Sequence, residues 1–450
     1  MKKLLLLGAG RSASILIDYL LEHSPAHQWQ LIVADREQAL AEQKTHQHPH
    51  ATAIAFDVRN EVQAKREVKR ADLVISMLPV QLHIGIARLC LTYGKPLITA
   101  SYVSPEMQAL DAEARRKGLL FLNECGLDPG IDHLSAMQVI DDLKAADAQL
   151  YLFKSFAGGL VAPPYDNNPW HYKFTWNPRN VVLAGQGTAL FREQGIERYV
   201  PYHQIFKSTE NFYIEEVGSL EGYPNRNSLT YAPIYGLENI PTIQRGTLRY
   251  DGFCAAWDAL VHLGLTEDHY TISDSATLSY RDFFGRFLPV GFPDASTALC
   301  AALQITPQSP VFMAIAWLGL LDSEQVIGLE QASPAQILQQ LLEEKWKLDP
   351  NDKDMIVMQH QFGYHLRGRD FLRSDSLVVY GEDTQRTAMA KTVGLPIGVA
   401  VRLLLTGQLQ GLSGVMRPVI PEIYRPMLKE LATLGLVFKH HTEALLPENV

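Results

Sequence analysis

The chain has 450 residues and a mass of 50.4 kDa, long enough for two or three domains with sizeable cores. A hydrophobic share of 47% and a charged share of 20% are ordinary for a globular protein and exclude a disordered or fibrous one. The net charge of −9 gives no electrostatic reason for a nucleic-acid or acidic-membrane partner.

The apolar run after Lys3 meets glycine too soon to be the core of a signal peptide. Nowhere do about 18 apolar residues follow one another without interruption, so no membrane span is expected. Cys90, Cys125, Cys254 and Cys300 lie far apart and fit neither a disulfide framework nor a zinc knuckle. The expected compartment is the reducing cytoplasm.

Leu4 to Leu7 read as a strand buried on both faces, as in a parallel sheet. Gly8, Gly10 and Ala13 then satisfy G-x-G-x-x-G/A: a tight turn, a close backbone approach to pyrophosphate, and a helix held near the sheet. Amides of that helix's first turn would face the phosphate. "WQLIVADRE" supplies a second strand ending at Asp35, about where this fold places its ribose carboxylate. Asp35 repels a 2′-phosphate and favours NAD, while Arg36 either stacks on adenine or pairs with that phosphate, so NAD and NADP both stay open.

A third strand, "ATAIAF", has Asp57 just past its end, a further cofactor-site candidate. "ADLVISMLP" is a fourth, stopped by Pro79 and followed by a helix read from Ile84, Ala87, Leu89 and Leu91. His83 opens that helix and is read as surface-exposed. "KPLITASY" and "GLLFLNECGLDPG" give two more strand-to-loop transitions. Strands alternating with helices predict an α/β, Rossmann-type open sheet whose ligands lie beyond the carboxyl ends of the strands.

The loops after the fourth, fifth and sixth strands would therefore hold the substrate. They carry Ser101, Tyr102 and Asp128, the last in a Pro-Gly turn. Asp132 is read as a helix cap, and Cys125 as either a site residue or a small buried hydrophobe. Glu124, Asp132 and His133 match no metal-ligand spacing, so no metal is expected.

Beyond residue 133 strand formers mix with Gly, Pro and Asn turns, predicting a second, sheet-containing domain. Helical periodicity dominates from Phe253 to about Trp346, strand character returns near "DMIVMQHQFGY", and the last helices start near Thr384. His360 in that strand is read as structural. Of the arginines in this half, Arg226 is assigned to a substrate carboxylate, which a guanidinium matches in bidentate geometry. Arg245, Arg249 and Lys173 are read as ion-pair or surface residues.

"GAGRSA", "TASY", "NECGLDPGIDH", "KSFAGGLVAP", "DNNPWHYKFTWNPR", "GYPNRNS", "RGTLRYDGF" and "GLPIGVAVRLLLTG" span the chain. Together they resemble the saccharopine dehydrogenase family of the glutamate-forming kind. The resemblance implies a dinucleotide domain at 1–130 completed by about 390–450, a mixed α/β domain at 131–252 and 351–389, and a helical domain at 253–350. It implies a homodimer acting on a small molecule, reversibly joining glutamate and 2-aminoadipate-6-semialdehyde as saccharopine with NAD(P). By the same resemblance Gly8, Gly10, Arg11 and Ser12 hold pyrophosphate. Asp35 and Arg36 lie at the ribose, and Leu78 and Pro79 line the cofactor's path. Ser101, Tyr102, Asp128, Arg226 and Thr247 meet saccharopine, with Asp128 and Tyr102 the catalytic candidates. Where relatives commonly carry a cysteine before the paired glycines, this chain has Ala157. Two rival readings are a carboxyspermidine-type imine reductase, which would need an acidic pocket, and a dinucleotide-binding regulator without turnover.

Overall fold

The computed structural model describes residues 1–184 and 186–445. The chain divides into two compact units, residues 1–149 with 381–439, and residues 150–380 with the segment from His440 onward.

The first unit is built on strands β1 (Lys2–Leu7), β2 (Trp29–Asp35), β3 (Ala51–Ala55), β4 (Leu73–Ser76), β5 (Leu97–Thr99) and β6 (Leu120–Leu122). Among the described residues they form a 7-stranded sheet with the late strand Gly414–Met416, in the order (Gly414–Met416)-β6-β5-β4-β1-β2-β3. Every pairing in it is parallel. Leu4 to Leu7 are 0% exposed, because helices cover both faces of a central parallel strand and leave no polar side. The strand order reverses between β1 and β4, the point at which such sheets bind ligands.

The chain returns to this unit through the helix Ala388–Leu405, which is long and apolar enough to cross a membrane by length and composition. It is instead a core helix, with 72% of that window buried inside the protein. It packs against the helix Ser14–His27 through Gly394 and Gly398: a Cβ on Gly394 would stand 2.8 Å from the Leu16 amide nitrogen, and one on Gly398 2.5 Å from the Tyr19 ring. Arg402 forks onto Glu430, and Tyr19 donates to the same carboxylate.

A second tie sits at the end of β6. Glu124, 2% exposed and at φ 57, accepts hydrogen bonds from Arg417 Nε at 2.9 Å and the Val103 amide at 2.9 Å. Its other oxygen lies 2.7 Å from His133 Nε2. One carboxylate thus joins the loop after β5, the helix Ile131–Ala145 and the segment after Gly414–Met416. Burial alone pushes the Glu124 carboxyl up, but the His133 and Arg417 partners and the Val103 amide outweigh it, so the group is held below its ordinary range.

In the second unit a sheet that is 9-stranded among the described residues runs through Gln149–Val161, Thr242–Tyr250 and the long hairpin Asp354–Leu366/Arg369–Tyr380. Thr242–Tyr250 lies parallel to Gln149–Val161 and antiparallel to Gly218–Pro224, which makes the sheet mixed. The helices between Phe253 and Lys345 enclose an aromatic core of Trp170, Trp257 and Trp346, and the Trp170 indole donates to the Ala314 carbonyl at 2.8 Å. They belong to the same compact unit as the sheet. The helix Ile131–Ala145, assigned by sequence to the mixed domain, belongs to the first unit, where it packs on Pro421–Thr433 and Tyr424 donates to Asp141 at 2.6 Å.

Gly394→Val should lower stability by about 1–3 kcal/mol through overpacking against Leu16, read as a shift in the denaturant midpoint. Glu124→Gln should lower it by about 3 kcal/mol at neutral pH, since Arg417 loses its charge partner in a buried setting. Because the Glu124 carboxyl is held below its ordinary range, its stabilisation is present above that range and is lost as pH falls through the lowered folded value. The gap between the two proteins should therefore narrow as pH falls below the ordinary carboxylate range.

Candidate active site

The glycine turn follows β1 at the switch point. Gly8 stands at φ 99, and a Cβ there would come within 3.0 Å of the Met77 carbonyl oxygen, so the turn needs glycine to pass under the end of β4. Gly10 is extended and precedes the helical turn Arg11–Ala13; no side chain caps that terminus, and a Cβ on Gly10 would point into open space. Open space before uncapped first-turn amides is what a pyrophosphate requires, so these residues fit a dinucleotide. Arg11 is exposed and Ser12 half-buried at this terminus.

Asp35, at the end of β2, is committed on both oxygens: Oδ2 accepts the Ala9 amide at 2.7 Å and Oδ1 the Glu37 amide at 3.0 Å. It fastens the glycine turn to the end of β2. Arg36 beside it is exposed. Lys44, which sequence reasoning passed over, donates to the Gly10 carbonyl, and burial lowers its pKa against the opposing pull of Asp35 and Asp18. Asp57 is exposed after β3 and accepts the Arg59 amide at 2.9 Å, an Asx turn. Leu78 is half-buried and Pro79 exposed just beyond β4.

The loops after β5 and β6 bring Tyr102 and Asp128 together, with the tyrosine hydroxyl 3.5 Å from Asp128 Oδ1. Both are half-buried. The peptide Asp128–Pro129 is cis, and Asp132 accepts the Gly130 amide from within the helix it was expected to cap. That bond closes the turn carrying Asp128. The Glu124 amide donates to the Ser101 carbonyl at 3.1 Å, and the Cys125 amide to Thr99 at 3.1 Å, so this turn is laced to the loop after β5. Cys125 is fully buried, and burial pushes its thiol up, which makes it a small hydrophobe rather than a reactive group.

His83 overturns its sequence reading. It is 4% exposed, because the buried stripe of its helix is His83, Ile86, Ala87, Cys90 and Leu91, one step out of phase with the pattern read from Ile84 and Leu89. Stepping by three and four from Ala87 would have reached it. Glu124 had a signal too: a carboxylate directly after a buried strand needs partners.

In the second unit Arg226 is exposed at φ 54, in the turn after Gly218–Pro224, and its carbonyl accepts the Leu190 amide at 2.8 Å. Neighbouring Asn225 donates to Thr247 Oγ1 at 3.3 Å. Thr247 pairs in register with Ala157. Arg245 lies over the Tyr231 ring at 3.8 Å, and Arg249 is buried among Tyr172, Tyr223 and Phe253. Lys173 is buried, 2.5 Å from Asp352. His360 is fully buried within its strand, as expected.

With this geometry in hand, the comparisons with known proteins agree along the whole chain. The family description "Saccharopine dehydrogenase NADP binding domain" matches residues 4–122, and "Saccharopine dehydrogenase C-terminal domain" matches 126–436. The "Saccharopine dehydrogenase [NADP(+), L-glutamate-forming]" of Schizosaccharomyces pombe is 31% identical over 97% of this chain and 98% of its own. The "Alpha-aminoadipic semialdehyde synthase, mitochondrial" of Bos taurus is 34% identical over 97% of this chain, which spans 47% of that longer protein. The solved apo saccharopine dehydrogenase (L-Glu forming) of Saccharomyces cerevisiae superposes with a TM-score of 0.89 at 31% identity, covering 98% of this chain and 100% of that one. A glycine cradle at the sheet's switch point, matched across both of its family segments, places this chain in the saccharopine dehydrogenase family.

Proposed function

We propose that the chain is an NAD(P)-dependent oxidoreductase acting on the CH–NH group of saccharopine, interconverting it with L-glutamate and 2-aminoadipate-6-semialdehyde. One observation carries the reading. The dinucleotide cradle after β1, the segment Leu78–Pro79 after β4 and the Tyr102–Asp128 pair after β5 and β6 all stand at the same edge of one parallel sheet.

When bound, the nicotinamide gives or takes the hydride. The protein's task is to hold the reacting carbon and manage charge and protons at nitrogen. A carboxylate accepts several hydrogen bonds at once, so Asp128 can hold a cationic amine while keeping Tyr102. Tyr102 then orients that carboxylate or relays a proton to solvent. Ala157 has no ionisable group and so moves no proton itself. Saccharopine bears three carboxylates, and the exposed guanidinium of Arg226, beside Asn225 and Thr247, suits one of them.

Saccharopine oxidation should proceed with at least one dinucleotide, followed by nicotinamide absorbance; no change with either coenzyme at any pH would overturn the assignment. Asp128→Asn should cost about 100-fold in kcat/KM, and a variant whose saccharopine affinity and single-turnover hydride step both match the parent would remove Asp128 from the site. Asp35 should set an NAD preference, and Asp35→Ser should raise the NADP-to-NAD ratio of kcat/KM by about tenfold, equivalent to about 1.4 kcal/mol.

A further inference from the structure

Ser76, His83 and Ser101 form a hydroxyl–imidazole–hydroxyl chain in the first unit. Ser76 closes β4, His83 opens the helix His83–Tyr93, and Ser101 lies just beyond β5. His83 Nδ1 is 2.8 Å from Ser76 Oγ, and Nε2 is 2.7 Å from Ser101 Oγ. Ser76 is 0% exposed and His83 4%, whereas Ser101 is half-buried. Burial pushes the imidazole down to about 4, so near neutral pH the ring is uncharged and only one of its nitrogens carries a proton.

Two arrangements satisfy the ring. In the first, Ser76 donates to Nδ1, Nε2–H donates to Ser101 Oγ, and the Ser101 proton is left to point away from the chain. In the second, Nδ1–H donates to Ser76, Ser101 donates to Nε2, and the Ser76 proton has no acceptor. The Ser76 side chain makes no other hydrogen bond among the described residues, and it is fully buried. The second arrangement strands a buried donor, whereas the first leaves its spare proton on the one hydroxyl that reaches solvent.

We propose that this chain locks His83 as the Nε2–H tautomer and so makes Ser101 an outward hydrogen-bond donor to an acceptor oxygen of the bound ligand, either a carboxylate of the substrate or the carboxamide of the coenzyme. His83 is a positioning residue that acts through Ser101. Three bonds running in one direction polarise one another, which strengthens the last of them. The same polarity gives selectivity: with one of its two lone pairs taken by Nε2–H and its proton directed outward, Ser101 favours a carboxylate or carbonyl over an ammonium group. The ligand assignment rests on the reading of Ser101 as a site residue; the tautomer does not.

Nitrogen NMR of protein labelled with 15N-histidine tests the tautomer, with His83 identified by the signal lost in His83→Gln. A protonated Nε2 beside an unprotonated Nδ1, unchanged between about pH 8 and pH 6, is expected; an Nδ1–H ring, or one that titrates in that range, would overturn the proposal. This readout needs no turnover, so it stands apart from the identity of the substrate. Steady-state kinetics of Ser76→Ala, Ser101→Ala and the double variant test the ligand. Each single change should raise the KM of one ligand about three- to tenfold, the worth of one hydrogen bond, with a smaller fall in kcat. The double variant should be no worse than Ser101→Ala alone. A rise confined to saccharopine identifies a carboxylate, and one confined to the dinucleotide identifies the carboxamide. Additive losses, or no rise for either ligand, would sink the link between Ser76 and Ser101.

Discussion

Parallel strand pairing is the constraint from which the candidate site follows. Parallel strands joined by crossover helices must all end on the same side, so the sheet gathers its polar turns along one edge while its core stays apolar. In this chain that edge holds the glycine turn, Leu78, Ser101 and Asp128, although they are spread over more than a hundred residues of sequence. The fit is close enough that the turn after β1 passes against the Met77 carbonyl. Glu124 supplies the lateral tie. By bonding to Arg417, Val103 and His133 it fixes the loops after β5 and β6 to the sheet and to the late segment of the chain that flanks it.

The sheet was legible because buried parallel strands are continuous apolar runs and the glycine spacing follows from turn geometry. Tyr102 and Asp128 were legible as positions at strand ends. What escaped reading was polar burial. His83 looked exposed because the helix was phased on its apolar residues alone, although its buried stripe includes an imidazole supported by two serines. Asp132 looked like a cap, but its carboxylate turns back to Gly130. Long-range partners of this kind carry no local periodicity, so a single sequence does not display them. The helix Ile131–Ala145 is placed in the first unit by distant partners too, Glu124 on His133 and the helix Pro421–Thr433 on its flank.

The cations of the second unit separate by setting. Arg245 and Arg249 face aromatic rings, and Lys173 meets Asp352, so all three serve the interior. Arg226 alone of that group stands exposed on a turn. Ala157 sits in register with Thr247, where an alkyl group can pack but cannot carry a proton.

The tie between Arg402, Glu430 and Tyr19, and the seating of Gly394 on Leu16, have a temporal consequence. The nucleotide unit is interrupted by residues 150–380, so during synthesis its amino-terminal strands emerge long before the helix and strand that finish them. The nascent sheet must wait with the flank of β6 bare, and loop closure across the whole second unit precedes its completion. Residues 150–380 can form most of the second unit while that wait lasts, and its last strand, Lys439–Leu445, joins only afterwards.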